Sequence, residues 1–207
     1  MKRRIYHISS VARELPDGFS LVELVLSLAI LLVITSLAVP VVVRSLQTYE
    51  LNSDAAHIAG MLKFTKFEAI RQNSRVSCQV MQQGSSWIVW VDSNGNGVPD
   101  GAEPQMVIAG SFTFLPAAAV PDPGPILAAM GPGVSGFTYT VWSGTNHSQI
   151  FDSRGVLYYP GGVMEIYALY LGNPNDSNSG YRAIITLPSG AVQVWTSSSS
   201  GNWQRVS

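Results

Sequence analysis

The sequence has a single cysteine, Cys78, and three histidines that lie far apart, His7, His57 and His147. One thiol cannot form an internal disulfide bond, and no histidine has a cysteine or carboxylate at the spacing of metal ligands. The sequence also lacks a nucleophile-elbow signature and a glycine-rich phosphate loop. We therefore expect no disulfide scaffold, no zinc site and no enzyme. Because Cys78 lies in a strand pattern, we expect a buried thiol there.

Charge is also scarce, because 12% of the residues are charged whereas 46% are hydrophobic. After Ser74 the sequence has few basic residues and a larger number of acidic ones: Arg75, Arg154, Arg182 and Arg205 against Asp92, Asp100, Glu103, Asp122, Asp152, Glu165 and Asp176. A mildly acidic region has the wrong sign for a phosphate-binding surface, so nucleic acid is not an expected partner. The excess of hydrophobic residues indicates one segment outside the globular part.

That segment lies near the N-terminus, where no charged residue occurs from Leu24 to Val43. About 20 apolar residues are enough for a helix to cross a bilayer, so this run predicts a transmembrane helix. Four basic residues precede it: Lys2, Arg3, Arg4 and Arg13. Because a flank rich in lysine and arginine tends to stay in the cytoplasm, we expect the rest of the chain on the periplasmic or outer side.

Three residues distinguish this segment from an ordinary membrane anchor. Gly18 ends the polar leader, Phe19 opens the apolar run, and Glu23 places a carboxylate one helical turn inside it. A carboxylate at bilayer depth costs about 2.5–3.5 kcal/mol on insertion scales, so it is normally retained for a partner. If the chain is cut between Gly18 and Phe19, the new ammonium group of a neighbouring subunit becomes a suitable partner for Glu23.

The run Gly18-Phe19-Ser20-Leu21-Val22-Glu23-Leu24, followed by apolar residues with Pro40 among them, resembles the leader of type IV prepilins and type II secretion pseudopilins. The resemblance implies that a prepilin peptidase removes residues 1–18 and that Phe19 is N-methylated. It also implies that Glu23 docks the subunit into a filament of other pilins or pseudopilins. The expected location is the bacterial inner membrane, crossed once, and then the filament.

Other interpretations of this segment remain open. Ser36-Leu37-Ala38 is a small-residue site at which an ordinary signal peptidase would leave Val39 as the first residue, and the segment would otherwise be a permanent anchor. Neither interpretation accounts for Glu23. Pro40 in isolation would end a helix, but proline is tolerated in membrane helices, so a kink or a loosened turn is expected there.

Hydrophobic residues continue at helical spacing beyond Arg44 to about Gln72. We therefore predict a helix whose first part, 19–43, spans the membrane and whose second part, 44–74, is amphipathic. Leu46, Tyr49, Ala55, Ile58, Leu62, Ala69 and Ile70 are expected to pack on a head, residues 75–207. The charged residues are expected on the solvated or subunit-contacting face: Arg44, Glu50, Asp54, Lys63, Lys66, Glu68 and Arg71.

The head has short runs rich in β-branched and aromatic residues, separated by turn residues, which predict strands. The predicted strands are Val76–Gln82, Trp87–Asp92, Gln105–Phe112, Phe137–Trp142, Gln149–Phe151, Val156–Tyr159, Glu165–Leu171, Tyr181–Leu187 and Ala191–Thr196. Residues 115–136 are rich in proline, glycine and alanine, and are expected to form an unstructured, flexible surface loop. The predicted class is α+β: a type IV pilin-like fold with a long N-terminal helix and an antiparallel β-rich head.

A second resemblance rests on Phe67–Val76, Trp87–Asp92 and Asn94–Glu103, which are similar to the GspH/FimT family of minor pseudopilins. It implies a structural subunit of a type II secretion pseudopilus that supports protein secretion. The alternative is a FimT-like minor pilin of a type IV pilus, with roles in assembly initiation, DNA uptake or tip adhesion. Some members of that family bind DNA through a basic C-terminal motif, but Gly201–Ser207 has one arginine. The tryptophans are more simply explained by packing in the core and on the sheets, and Trp203 near the end is the one to test for contact with a ligand.

A calcium-loop pattern follows the second predicted strand. Asp92, Asn94, Asn96, Asp100 and Glu103 occupy positions 1, 3, 5, 9 and 12 of that pattern, with a glycine at position 6. The flanking segments predict strands, however, whereas a calcium loop of this type lies between helices. A plain turn rich in glycine and asparagine explains the same composition, so both interpretations remain open. Calcium is the one cofactor that the sequence suggests.

Overall fold

The computed structural model describes residues 18–131, 137–139, 147–159 and 166–206. The predicted leader up to residue 17, the end of the strand predicted over Phe137–Trp142, and Glu165 lie outside the described residues. The elements are α1 (Leu21–Gln72), β1 (Val76–Gln83), β2 (Ser86–Asp92), β3 (Gln105–Ile108), β4 (Thr113–Leu115), α2 (Gly124–Met130), β5 (Thr138–Tyr139), β6 (His147–Phe151), β7 (Tyr167–Gly172), β8 (Tyr181–Thr186), β9 (Val192–Ser197) and β10 (Gln204–Arg205). The chain divides into two compact units, Met1–Val42 and Val43–Ser207.

Helix α1 is continuous through Pro40 and ends at Gln72. Asn73 has a positive φ of 49°, and the Ser74 N–H donates to the Ala69 carbonyl at 3.1 Å, which closes the C-terminus. Within the second unit the helix buries one face, whose members recur every three or four residues: Leu51, Ala55, Ile58, Ala59, Leu62, Thr65, Glu68 and Ala69. The helix therefore supplies one wall of the hydrophobic core of the head.

The strands form two sheets. The first has the order β3-β2-β1-β6 and the second β10-β9-β8-β7-β4, with every one of these pairs antiparallel. Strands β8 and β9 form a hairpin whose turn contains Pro188-Ser189-Gly190, and the Gly190 N–H donates to the Leu187 carbonyl at 2.8 Å. The α+β class and the long N-terminal helix followed by antiparallel strands are confirmed. One pair departs from the prediction, because β5 runs parallel to β7.

Two of the predicted strands differ from the structure by more than two residues at an end. Val156–Tyr159 is not a strand, because Leu157 makes only an isolated bridge with Phe151. The strand predicted over Gln105–Phe112 stops at Ile108, and its last residues lead into β4 instead. Two short strands, β4 and β10, have no counterpart among the predictions.

The expectation of an unstructured loop over 115–136 is also wrong for the residues described there. A 3-10 turn covers Ala117–Ala119 and α2 covers Gly124–Met130. Ile126 on α2 is fully buried in a cluster with Trp195 and Trp203. This segment therefore contributes a side chain to the core, although its composition is that of a linker.

Glu68 was expected on the solvated face of α1, but the structure buries it. Its carboxylate accepts hydrogen bonds from Arg71 Nε at 2.8 Å and from Gln72 Nε2 at 2.6 Å. The hydrogen bond from Arg71, followed by that from Gln72, lowers the Glu68 pKa to about 2. The charged carboxylate is thus favoured in the folded state.

This shift predicts a pH dependence of stability. A carboxyl group whose folded pKa is depressed stabilises the fold above its ordinary value of 4.5 and loses that contribution as pH falls towards about 2. We expect Glu68→Gln to flatten the loss of stability over this window, as measured by chemical denaturation at a series of pH values. An unchanged slope between the variant and the wild type would contradict the assignment.

Candidate functional site

The N-terminal residues Gly18 and Phe19 precede α1, and the Phe19 side chain is 81% exposed. Ser20 Oγ accepts the Glu23 N–H at 3.3 Å, which caps the first turn of the helix. Glu23 lies in that turn, where the positive end of the helix dipole favours a carboxylate. Among the described residues, no hydrogen bond or ion pair involves the Glu23 carboxylate. Cleavage between Gly18 and Phe19, N-methylation of Phe19 and the docking role of Glu23 stay predictions.

Beyond Glu23, helix α1 presents large apolar side chains on all sides. The exposed ones include Leu24, Val25, Leu26, Leu28, Ile30, Leu31, Leu32, Val33, Ile34, Leu37, Val39, Val41, Val42 and Val43. Because these positions are nearly consecutive, they surround the helix and do not form a single stripe. A helix that is apolar all round is typical of a membrane span or of a helix enclosed by others. By length and composition, α1 qualifies as a membrane-crossing helix.

The few polar side chains in this part of the helix bond to its own backbone. Ser27 Oγ donates to the Glu23 carbonyl at 2.7 Å, and Thr35 Oγ1 donates to the Leu31 carbonyl at 2.9 Å. The hydrocarbon core of a bilayer contains no water to bond to polar groups, so these hydroxyl groups need partners within the helix, as they have here. Pro40 has no N–H to donate to the carbonyl of Ser36, yet the helix continues past it. Pro40 therefore lies inside a continuous helix, as proline in a membrane helix can, and the kink or loosened turn stays a prediction.

The second half of α1 also carries exposed apolar residues. Three residues that were expected to pack on the head are exposed: Leu46, Tyr49 and Ile70. Phe64 and Phe67 are exposed as well. The sequence analysis did not identify these two phenylalanines as exposed. The signal was available, because their positions fall outside the spacing of the buried set that begins at Leu51. Exposed aromatic residues of this kind are typical of contacts with other proteins.

The loop that follows β2 brings the five residues of the calcium-loop pattern together. Asp92 Oδ1 accepts the Asn96 N–H at 3.0 Å, and Asp92 Oδ2 accepts the Gly97 N–H at 3.1 Å. Glu103 Oε1 accepts the Ser93 N–H at 2.8 Å, so the twelfth position of the pattern contacts the residue directly after the first. In the middle of the loop, Asn94 Nδ2 donates to Asp100 Oδ2 at 2.9 Å.

The carboxylate groups of this loop do not converge on a common point in the described conformation. Among the described residues, no group of three or more His, Cys, Asp or Glu side chains is placed to hold a metal ion. The plain-turn interpretation accounts for the backbone, because Gly95 and Gly97 both have a φ of 72°, which favours glycine. The calcium interpretation stays a prediction at this point.

The four arginines after Ser74 do not form a basic patch. Arg75 lies over the Tyr158 ring at 3.6 Å, and Arg154 pairs with Asp152 at 2.8 Å. Arg182 is buried, and its Nε donates to the side-chain oxygen Oδ1 of Asn52 on α1 at 2.7 Å. Only Arg205 is left as an exposed cation without such a contact within the described part of the head. This arrangement offers little to a phosphate backbone.

Trp203 does not present an open ring to a ligand. Its side chain is 6% exposed, it packs against Tyr170 with ring centroids 5.9 Å apart, and its Nε1 donates to the Pro121 carbonyl at 3.4 Å. This tryptophan, named above as the one to test for ligand contact, is therefore not free to stack on a sugar or a base. Cys78, by contrast, is buried as expected, and burial raises the pKa of its thiol to about 12.

Comparisons with known proteins agree with the motifs of the head. The family model of type II transport protein GspH matches residues 54–204. No curated protein matches the chain. Among solved structures, the type IV minor pilin FimU of Pseudomonas aeruginosa is 17% identical, with a TM-score of 0.41 over 76% of this chain and 93% of that one. Since the family model covers most of the sequence, the chain belongs to the type II transport protein GspH family and is a minor pseudopilin.

Proposed function

We propose that this minor pseudopilin is made as a precursor, is cut between Gly18 and Phe19 by a prepilin peptidase, and then enters a type II secretion pseudopilus. Residues 19–43 anchor it in the inner membrane before assembly, and the head lies in the periplasm. In the filament, Glu23 pairs with the N-terminal ammonium of a neighbouring subunit. The protein has a structural role, and the covalent chemistry is carried out on it by other proteins. The type IV pilus alternative uses the same subunit design.

One observation carries this proposal: a largely apolar, exposed helical segment has a single carboxylate in its first turn, shortly after a Gly-Phe junction. An exposed apolar cylinder is not stable in water and needs a bilayer or other helices around it. Within the described residues the carboxylate has no partner in its own chain. A partner supplied by another subunit satisfies both features at once.

Mass spectrometry of the mature N-terminus tests the first step. We expect the protein isolated from membranes to begin with N-methylated Phe19, and Gly18→Val to accumulate as uncut precursor. Ala38→Val is the matched control, because it alters the alternative small-residue site without touching the Gly18-Phe19 junction. A mature protein that begins at Val39, or an intact Met1, contradicts the proposal.

A further inference from the structure

Two carboxylates of the loop after β2 are buried. The side chains of Asp92 and Glu103 belong to residues that are 4% and 6% exposed. Aspartate and glutamate are almost never this buried unless a cation or a metal ion balances their charge. Their burial therefore calls for a partner, whereas a plain surface turn would leave both side chains in water.

No cationic side chain supplies that balance within the described residues. The described residues form two ion pairs, Arg71 with Glu68 and Arg154 with Asp152, and both lie outside this loop. From the part of the chain that the structure describes, Asp92 accepts hydrogen bonds from neutral groups alone, the N–H groups of Asn96 and Gly97 and the side chains of Ser77 and Gln79. The donors described around this carboxylate are thus uncharged.

Glu103 adds an independent sign of a missing ligand. One carboxylate oxygen, Oε1, accepts from the Ser93 N–H at 2.8 Å, but Oε2 is buried without a hydrogen-bond partner. An unpartnered carboxylate oxygen in the interior costs free energy, since water no longer solvates it. Because Oε1 bonds the residue next to Asp92, the carboxylate lies at the base of the same loop. Oε2 is therefore an available ligand atom at that base.

We infer that the loop Asp92–Glu103 binds one calcium ion. The available donors are all oxygens: the carboxylates of Asp92, Asp100 and Glu103 and the amide oxygens of Asn94 and Asn96. Calcium takes six to eight oxygen ligands in flexible geometry, whereas zinc favours nitrogen and sulfur, and magnesium demands a tighter octahedron. A divalent cation would neutralise both buried carboxylates and give Glu103 Oε2 its partner.

Binding requires a small contraction of the loop. The described conformation holds the Asn94 amide against Asp100, and its carboxylates do not yet converge. Asn94 and Asn96 are exposed, so they can move inward over Asp92 and Glu103 without disturbing the core. The buried pair forms the fixed wall of the site, and the exposed amides form its mobile side. This inference concerns the head and does not depend on the filament role.

Calorimetry and thermal unfolding of the full chain in detergent micelles, titrated with calcium chloride, test the inference. We expect one ion per chain, with a dissociation constant of about 10⁻⁴–10⁻³ M, as in extracellular calcium modules. At about 10 mM calcium this affinity raises Tm by about 3–10 °C. Magnesium chloride at the same concentration is expected to give a smaller shift.

Three variants locate the site. Glu103→Gln is expected to weaken calcium binding at least about tenfold, because it removes a charged ligand of the same shape. Asn96→Asp adds a charged ligand and is expected to strengthen binding about threefold or more, a gain that misfolding cannot produce. Asp176→Asn, a matched control on the turn before β8, is expected to bind like the wild type.

The inference is overturned if the wild type binds no calcium at about 10 mM, or if Glu103→Gln binds as tightly as the wild type. Should Glu103→Gln fail to fold, Asn96→Asp decides the matter, and an unchanged affinity in that variant counts against the site. Equal shifts from calcium and magnesium would overturn the assignment to calcium.

Discussion

Replacing Glu23 with alanine is expected to leave the precursor processed and inserted but to lower its incorporation into filaments at least about tenfold. Truncating one partner of a buried charge pair costs about 2–5 kcal/mol, and each 1.4 kcal/mol is a tenfold change in binding. The same substitution removes about 2.5–3.5 kcal/mol of insertion cost, so a loss of incorporation cannot come from a failure to enter the membrane. The measurement is the ratio of subunit in sheared filaments to subunit in membranes.

Glu50→Ala is the matched control for this experiment. Glu50 is an exposed acidic residue on the same helix, but it lies beyond the apolar run. We expect this variant to be incorporated normally, and mass spectrometry of the N-terminus should show that both variants are processed. Normal incorporation of Glu23→Ala would remove the role assigned to this carboxylate and leave the Gly18-Phe19 junction as a processing signal alone.

The helix was the most predictable part of the molecule. A long charge-free run predicted its first half, and residues at helical spacing predicted its end at Gln72, which the structure confirms. Which residues of the second half face the core was harder to predict. Tyr49 precedes the buried Leu51 by two residues, about 200° around the helix, so it lies on the opposite side from the core. Ile70 follows the buried Ala69 by one residue and lies at the edge of the buried face, where the packing of the strands decides how far the core extends.

The short elements of the head could not be predicted because long-range pairing creates them. Strand β4 has three residues, and it is a strand because Thr113 pairs with Gly172 and Leu115 with Tyr170. A run of that length shows no periodicity of its own. Likewise, α2 has proline in its first turn, where the fixed φ of proline suits a helix, and the burial of Ile126 among distant aromatic residues holds this short helix against the core.

The loop after β2 shows the complementary case. Its spacing predicted that Asp92 and Glu103 would lie in one loop, but burial depends on β1, whose Ser77 and Gln79 side chains lie beside Asp92. The calcium-loop pattern covers residues 92–103 only, so it cannot predict a contact with β1. The burial of these two carboxylates, which the spacing alone does not predict, is the observation on which the proposed calcium site rests.

The largest expected loss of stability follows from Trp87→Ala. Trp87 on β2 is fully buried, and its Nε1 donates to Thr113 Oγ1 on β4 at 2.8 Å. Its ring meets Phe114 edge to face, with centroids 5.3 Å apart. Because β2 belongs to the first sheet and β4 to the second, this side chain joins the two. Truncation is expected to cost about 3–5 kcal/mol and to lower Tm by about 6–20 °C, as measured by near-ultraviolet circular dichroism.

A pair of phenylalanine variants separates the hydrogen bond from the packing. Trp87→Phe keeps an aromatic ring but removes the donor to Thr113, whereas Trp90→Phe removes an indole N–H that is buried without a partner among the described residues. Losing a satisfied donor costs more than losing an unsatisfied one. We therefore expect Trp87→Phe to lower Tm more than Trp90→Phe. Equal losses would mean that ring volume alone holds the two sheets together, and that the contact with Thr113 contributes nothing measurable.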